Sequence, residues 1–408
     1  MHVRSYLVSG LLIVAGCSQA TLRSRPMDPH LVTAYEQLLS LFPEDTQGYG
    51  RERVFNTIEE QPMTYGLILS AESARVARTA SPEAARRVHK AARWLIENQD
   101  SDHDGQPGWG LPQAWDAFQD GTTNPENQPY TITTALVMYG LLDSLQTNVW
   151  SSDEREEIRG LLVRVAMRWC DFWSAGYGGG FFWYSPSRDD AIFAVNSPSM
   201  FMGAIARLVR EHPSAMTAEQ RRLVQSRADD QARAAVATVK LSDGLPYWAY
   251  MALPNFRNSD RPNDLIHHVY TLWGLEVYRG SGGAVKLPWT RKQAARSLDR
   301  FWKDGRICAY PEPPAPSQAD AAESTSATTR TSNSPAVLWS AGMLLAGYVQ
   351  WGDDAGVMRS LEAIRRDYGS WPNLRLFPPE RSDDTTFYPR YAAHVLIALA
   401  WQTFGPPG

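Results

Sequence analysis

The sequence predicts an all-α body, six outer–inner helical hairpins closed into a ring. Six apolar segments rich in small residues recur along the chain. Each is preceded by a segment in which Arg, Lys and Glu repeat at helical spacing. No stretch sustains the alternating pattern of a long strand.

The predicted outer helices are residues 30–41, 82–98, 153–173, 218–240, 291–302 and 354–368. SPEAARRVHKAARWLIEN shows their character, with one charged face for water and one apolar face for packing. The predicted inner helices are residues 63–75, 130–145, 197–209, 265–278, 336–351 and 389–404. These are apolar or small on nearly every side, as a helix surrounded by protein must be. The loops 100–129, 175–196, 241–264 and 369–388 are long and carry Trp109, Trp115, Trp183, Trp248 and Trp371. Loops beyond ~15 residues are uncommon in compact domains unless they serve a function. The stretch 311–335 is low-complexity Pro, Ser, Thr and Ala and reads as a disordered insert.

At the amino terminus, Arg4 precedes an apolar run over residues 7–15, the layout of a secretory signal, too short to span a bilayer. The segment Val14-Ala15-Gly16-Cys17 resembles the lipobox of bacterial lipoproteins. The resemblance implies removal of residues 1–16, a diacylglycerol on the Cys17 thiol and an acylated amine. Several acyl chains would hold the protein stably to a membrane. Ser18, by the same resemblance, implies the outer membrane, facing the periplasm. The predicted organisation is a signal peptide over 1–16, a lipidated linker over 17–29 and the helical body over 30–408.

A net charge of −4 gives no basic field for nucleic acid. Cys170 and Cys308 could pair in the periplasm or sit as buried thiols. The 15 Trp and 17 Tyr suit both sugar stacking and the core of a large helical protein.

The hairpin pattern resembles the (α/α)6 toroid of many glycoside hydrolases, polysaccharide lyases, terpene cyclases and prenyltransferases. IENQDSDHDGQPGWG resembles the Gln-Asp-…-Gly-x-Trp-Gly turn of cyclase-type toroids through Gln99, Asp100, Gly108, Trp109 and Gly110. GYGGGFFW at 176–183 and DYGSWP at 367–372 are weaker echoes. The resemblance implies that Gln99 and Trp109 tie one hairpin to the next. It also implies a binding cleft among the outer-to-inner loops.

Two constellations suit chemistry on a polysaccharide. The first is acidic: Glu59 and Glu60, Asp116 and Asp120 in AWDAFQDG, and Asp189 and Asp190. Hydrolysis needs one protonated and one ionised carboxyl, and Asp116 with Asp120 is the expected pair for an inverting hydrolase. The second combines Asn263, Asp264, His267, His268 and Tyr270 with Tyr388, Arg390, Tyr391 and His394. It suits proton abstraction at C5 of a uronic acid: His267 or His268 as base, Tyr391 as acid, Arg390 and Asn263 offsetting the carboxylate. The array is similar to that of toroid alginate lyases, but their contiguous Asn-Asn-His is missing. Trp109, Trp115, Trp183, Trp248 and Tyr388 are the expected sugar platforms. Asp100, Asp102, Asp104 and Gly105 match the start of a calcium loop, with Leu111 where the bidentate Glu belongs. No phosphate loop, zinc motif or nucleophile elbow occurs, and apart from calcium no cofactor is expected.

The expected function is a membrane-anchored periplasmic enzyme acting on polysaccharide, by lyase or epimerase chemistry ahead of hydrolysis. The rival is a non-enzymatic scaffold that binds polysaccharide during export; a terpene cyclase or prenyltransferase ranks third.

Overall fold

The computed structural model describes residues 26–251, 262–311 and 334–406. Cys17 and most of the low-complexity insert lie outside the described residues. Twelve α-helices and four two-stranded hairpins make up the described regular structure, apart from short 3₁₀ turns.

The outer helices are α1 (Pro29–Leu39), α3 (Pro82–Glu97), α5 (Ser152–Asp171), α7 (Ala218–Thr238), α9 (Arg291–Ser297) and α11 (Asp354–Asp367). All six start at a side-chain cap: Asp28, Ser81, Ser151, Thr217, Thr290 and Asp353. Ser151, Thr217 and Thr290 form full capping boxes with Glu154, Gln220 and Gln293. Each cap satisfies an N–H that the helix itself cannot, so these starts are written locally.

The inner helices are α2 (Pro62–Thr79), α4 (Thr131–Leu145), α6 (Asn196–Glu211), α8 (Leu265–Gly280), α10 (Leu338–Trp351) and α12 (Pro389–Phe404). Only α8 has a side-chain cap, Asp264; the other five have none. Three of the six, α8 among them, donate their first N–H to a carbonyl in the next hairpin's loop. Thr131 donates to Tyr184, Leu265 to Ala309 and Leu338 to Leu376, at 2.9–3.0 Å. Neighbouring hairpins are thereby stitched around the ring.

Each inner helix packs on the next, and α12 packs back on α2, so the ring closes. Closest approach comes in three pairs, where glycines let backbones meet. A Cβ on Gly140 of α4 would lie 2.4 Å from the Gly66 carbonyl oxygen of α2. One on Gly274 of α8 would lie 1.9 Å from Ser199 O of α6, and one on Gly342 of α10 2.7 Å from the carbonyl carbon of His394 on α12.

Aromatic rings fill the ring's interior: Trp273 lies 5.2 Å from Tyr139 and 5.1 Å from Trp401. Toward the C-terminal ends of the inner helices, buried acids are matched by arginines. Glu72 faces Arg75 at 3.5 Å, Asp143 faces Arg207 at 2.5 Å, and Glu276 faces Arg279 at 3.3 Å. The cations also offset the negative helix ends.

The structure departs from the expected elements in its short strands. Hairpins β1–β2 (Tyr49–Arg51, Ile58–Glu60), β3–β4 (Trp173–Gly176, Gly179–Phe182), β5–β6 (Lys240–Ser242, Leu245–Tyr247) and β7–β8 (Trp302–Lys303, Arg306–Ile307) follow α1, α5, α7 and the 3₁₀ turn after α9. GYGGGFFW is therefore a β-hairpin, not an echo of the Trp-Gly turn. Tyr177-Gly178, Asp243-Gly244 and Asp304-Gly305 all take positive φ at the tips, which glycine adopts at little cost. The Gln-Asp-…-Trp-Gly turn does tie elements together. Trp109 Nε1 donates to Leu95 O of α3 at 3.0 Å, and Arg164 of α5 donates to Gln99 Oε1 at 3.2 Å. Cys170 and Cys308 are buried and form no disulfide.

Candidate active site at the mouth of the ring

The N-terminal ends of the inner helices and the loops before them form one face of the ring, and polar side chains concentrate there. Tyr270 and His394 meet across it from α8 and α12, Oη to Nε2 at 2.6 Å. His394 Nδ1 lies 2.7 Å from the Arg390 carbonyl, which can only accept, so Nδ1 carries the proton and Nε2 accepts from the tyrosine. Burial drives the His394 pKa down to about 3, so the ring is neutral at physiological pH. Trp339 packs 4.9 Å from Tyr391 and 5.8 Å from His394.

Beside this pair, Glu52 grips Arg390. Its oxygens lie 2.8 Å from Arg390 Nε and 2.9 Å from a terminal guanidinium nitrogen, and Tyr391 Oη donates to it at 3.1 Å. Glu52 is 1% exposed and Arg390 7%. Arg390 is thus neutralised from within, which removes the ground for expecting it to balance a substrate carboxylate. Burial pushes the Tyr391 phenol up, which keeps its proton on the oxygen.

A second pair stands at the start of α8. Asp264 caps α8 and also takes His267 Nδ1 at 2.6 Å, and Tyr250 meets the His267 ring edge-on at 4.8 Å. The side chains of His267 and Asp264 are 24% and 28% exposed, so this pair is reachable from solvent. A carboxylate on Nδ1 fixes the tautomer and leaves Nε2 to take a proton, the geometry of a supported general base.

His268 turns the other way. Its Nε2 lies 2.9 Å from Ser297 Oγ of α9, and its ring packs near Trp248 and Phe301. Burial, with Arg300 adding, lowers its pKa to about 3. It faces outward between α8 and α9, beside a cavity of about 10 Å³ lined by Tyr247, Trp248, Asn263, Ser297 and Phe301. Asn263 is 2% exposed and points to Thr271 rather than toward Arg390. The expected pairing of His268 with His267, and of Asn263 with Arg390, is not what the helix rotation produces.

Among the expected platforms, Trp115 stands at the mouth, half-buried, 5.2 Å from Tyr130 and 6.1 Å from Tyr184. Trp109 and Trp248 are each 1% exposed, with their indole N–H groups bonded to Leu95 O and Ala235 O. They are core residues, and a sugar cannot stack on them. Trp183 bonds Ser174 on β3, and Tyr388 is held by Asp384.

Asp116 accepts from the N–H groups of Asp120 and Gly121 at 3.2 and 2.9 Å, closing its own turn. Burial raises its pKa less than these N–H groups lower it, so the carboxyl is held ionised below the usual range. Asp120 is exposed and bonds Thr122. Asp190 and Glu60 are different: burial raises both, and Asp190 accepts from Asn124 Nδ2 at 2.6 Å. Glu59 is half-buried on β2, and Asp189 is exposed.

Gln61, Thr64 and Asn196, at the starts of α2 and α6, are at most 2% exposed. Gln61 Nε2 and Oε1, Thr64 Oγ1 and Asn196 Nδ2 have no hydrogen-bond partner among the described residues. Buried groups of this kind keep donors and acceptors for water. Carboxylate oxygens of Asp100, Asp102 and Asp104 lie within 4.8 Å of one another, as a cation would need. Arg168 takes one Asp104 oxygen at 2.5 Å and competes for that role.

Sequence reasoning missed Glu52, Trp339, Tyr184 and Tyr250. Glu52 lies more than 300 residues from its partners, and no local pattern marks it.

No protein-family model matches the sequence, and no curated protein matches it. Solved structures do. A cellobiose 2-epimerase from Bacillus thermoamylovorans matches with a TM-score of 0.56 at 12% identity, over 91% of this chain and 98% of that one. The unsaturated glucuronyl hydrolase of Bacillus sp. GL1 gives 0.55 at 12%, over 91% and 94%. A GH76 α-mannanase from Bacteroides thetaiotaomicron gives 0.57 at 11%, over 92% and 95%. At such identities the likeness establishes the fold: the chain is an (α/α)6 toroid, a fold it shares with epimerases and hydrolases of sugars.

Proposed function

We propose that the chain is a carbohydrate-active enzyme, anchored in the cell envelope through Cys17, that moves a proton at a sugar carbon by epimerase or lyase chemistry. One observation carries the reading: His267, held by Asp264 at 2.6 Å and reachable from solvent, on a face that also carries the Tyr270–His394 pair and Tyr391. In this reading His267 Nε2 takes the proton, Asp264 stabilises the imidazolium, and Tyr391, kept protonated, donates on the other side. Trp115 stacks on a sugar.

Hydrolysis by Asp116 and Asp120 is disfavoured because Asp116 is spent on its own turn. The test is a screen of uronic and neutral bacterial polysaccharides and their oligomers in deuterated buffer. Elimination gives near-ultraviolet absorbance, epimerisation gives carbon-bound deuterium, and hydrolysis gives only reducing ends. His267→Ala should lower turnover ~10²- to 10⁴-fold with the fold intact. Binding without any turnover would transfer the protein to the scaffold reading.

A further inference from the structure

At the rim beside Glu52, two arginines converge on one aromatic ring. Arg53 follows Glu52 in the β1–β2 turn, and Arg381 lies in the loop between α11 and α12. Their guanidinium carbons lie 4.5 and 4.0 Å from the centre of the Phe377 ring. Phe377 is 3% exposed, so it is a fixed support; both arginines are exposed.

The Arg53 charge is felt at Arg381, and a carboxylate ordinarily offsets two cations gathered at one ring. Neither guanidinium forms an ion pair among the described residues, although Arg306 nearby is paired with Glu380. Arg381 donates to the Pro335 carbonyl at 2.6 Å. Asp384 accepts from Tyr388 Oη at 2.7 Å and Thr386 N at 2.9 Å, and these bonds, with the Arg53 charge adding, hold its carboxyl below the usual range. Burial, with the Arg53 charge adding, lowers the Arg381 pKa, and Tyr368 and Tyr310 act the other way.

We propose that Arg53 and Arg381, braced on Phe377, form a subsite for the carboxylate of an acidic sugar unit in a chain entering the mouth. This rests on the reading of the mouth as a saccharide site and adds the substrate class, a uronate-bearing polysaccharide. The paired donors suit a planar carboxylate, which would also relieve the repulsion. The placement matters because Arg390, the cation inside the mouth, is already matched by Glu52. Charge is read at the rim, one residue along the chain from Glu52, and the reacting sugar sits deeper.

The experiment titrates the full chain by calorimetry with tetragalacturonate and with its carboxyl-reduced, neutral counterpart, at low and high salt. The charged tetramer should bind at least about ten-fold more tightly, and the gap should shrink with salt. Arg53→Gln with Arg381→Gln should erase the gap while leaving neutral binding unchanged, and His267→Ala should keep it. Equal binding of both tetramers by the wild type, binding of neither, or a gap that survives the double substitution would overturn the subsite. Inorganic phosphate competing as strongly as the tetramer would overturn the assignment to a sugar carboxylate. His267-dependent turnover without a charge preference would sink the subsite and leave the enzyme reading standing; a charge preference without turnover would do the reverse.

Discussion

Tyr270 and His394 are joined Oη to Nε2 at 2.6 Å although their helices, α8 and α12, are separated in the ring by α10. The bond bridges the interior, and both residues are buried. Tyr270→Phe therefore leaves a buried imidazole nitrogen without a donor, which costs about 1–3 kcal/mol. Urea denaturation should show the midpoint falling with the slope unchanged. An unchanged midpoint would mean that the bond contributes nothing net.

Acid should weaken the fold through this same histidine. The folded pKa of His394 is about 3 and the unfolded value about 6.5, so the unfolded chain binds the extra proton between them. Its contribution is intact above pH 6.5 and is lost as pH falls toward 3, at about 1.4 kcal/mol per pH unit. Buried acids with raised pKa values, such as Asp143 and Glu72, act in the opposite sense, so the comparison must be with a variant. Between pH 7 and 4.5 the wild type should lose about 2–3 kcal/mol more than His394→Gln. Parallel pH profiles would contradict this assignment.

Close helix contact at Gly274 predicts a large effect of one methyl group. Its Cβ would lie 1.9 Å from the Ser199 carbonyl, a backbone atom that cannot swing aside. Gly274→Ala should cost at least about 1–3 kcal/mol, read as a lowered thermal midpoint, because α6 and α8 must separate. Gly282, with nothing within 4 Å, is the control position for a lost glycine, although its positive φ adds some strain of its own.

Two tryptophans separate binding from folding. Trp115→Ala should weaken saccharide binding with little loss of stability, since its ring stands half-buried at the mouth. Trp109→Ala should cost about 3–5 kcal/mol, because it empties a buried site and removes the bond to Leu95. Calorimetric titration and a melting curve on each variant provide the check, and a reversed order of effects would refute the assignment of Trp115 to the site.

Anchoring is tested at Cys17. Cys17→Ser should abolish incorporation of labelled palmitate and move the protein out of the membrane fraction, or leave the precursor uncleaved. Persistent labelling would rule out the lipobox.

The outer helices were legible in the sequence because their caps are local: SPEA, SSDE, TAEQ and TRKQ each carry their own start. Inner helices were legible as apolar runs but, except at Asp264 before α8, not in their starts, since Thr131 and Leu338 bond to carbonyls tens of residues away. The hairpins at Asp243-Gly244 and Asp304-Gly305 did have a local signal, Asp-Gly between short extended segments, which helix periodicity overshadowed. At the site, the segment PNDLIHHVYTLW located the right helix. It could not show which histidine faces inward, because adjacent helical residues point about 100° apart and only the rotation of α8 in its packing decides. Aromatic content was equally ambiguous: Trp109 and Trp248 belong to the core and Trp115 to the mouth, a distinction made by burial alone.

Closure of α12 onto α2 alters how such a protein can come apart. In an open array of repeats the end units have a single neighbour each, so they fray first and need polar caps. Here every hairpin has a neighbour on both sides, and detaching any one of them breaks two interfaces at once. Partial unfolding from an end is thereby penalised, and the ring should melt as one cooperative unit whose weakest seam governs its lifetime.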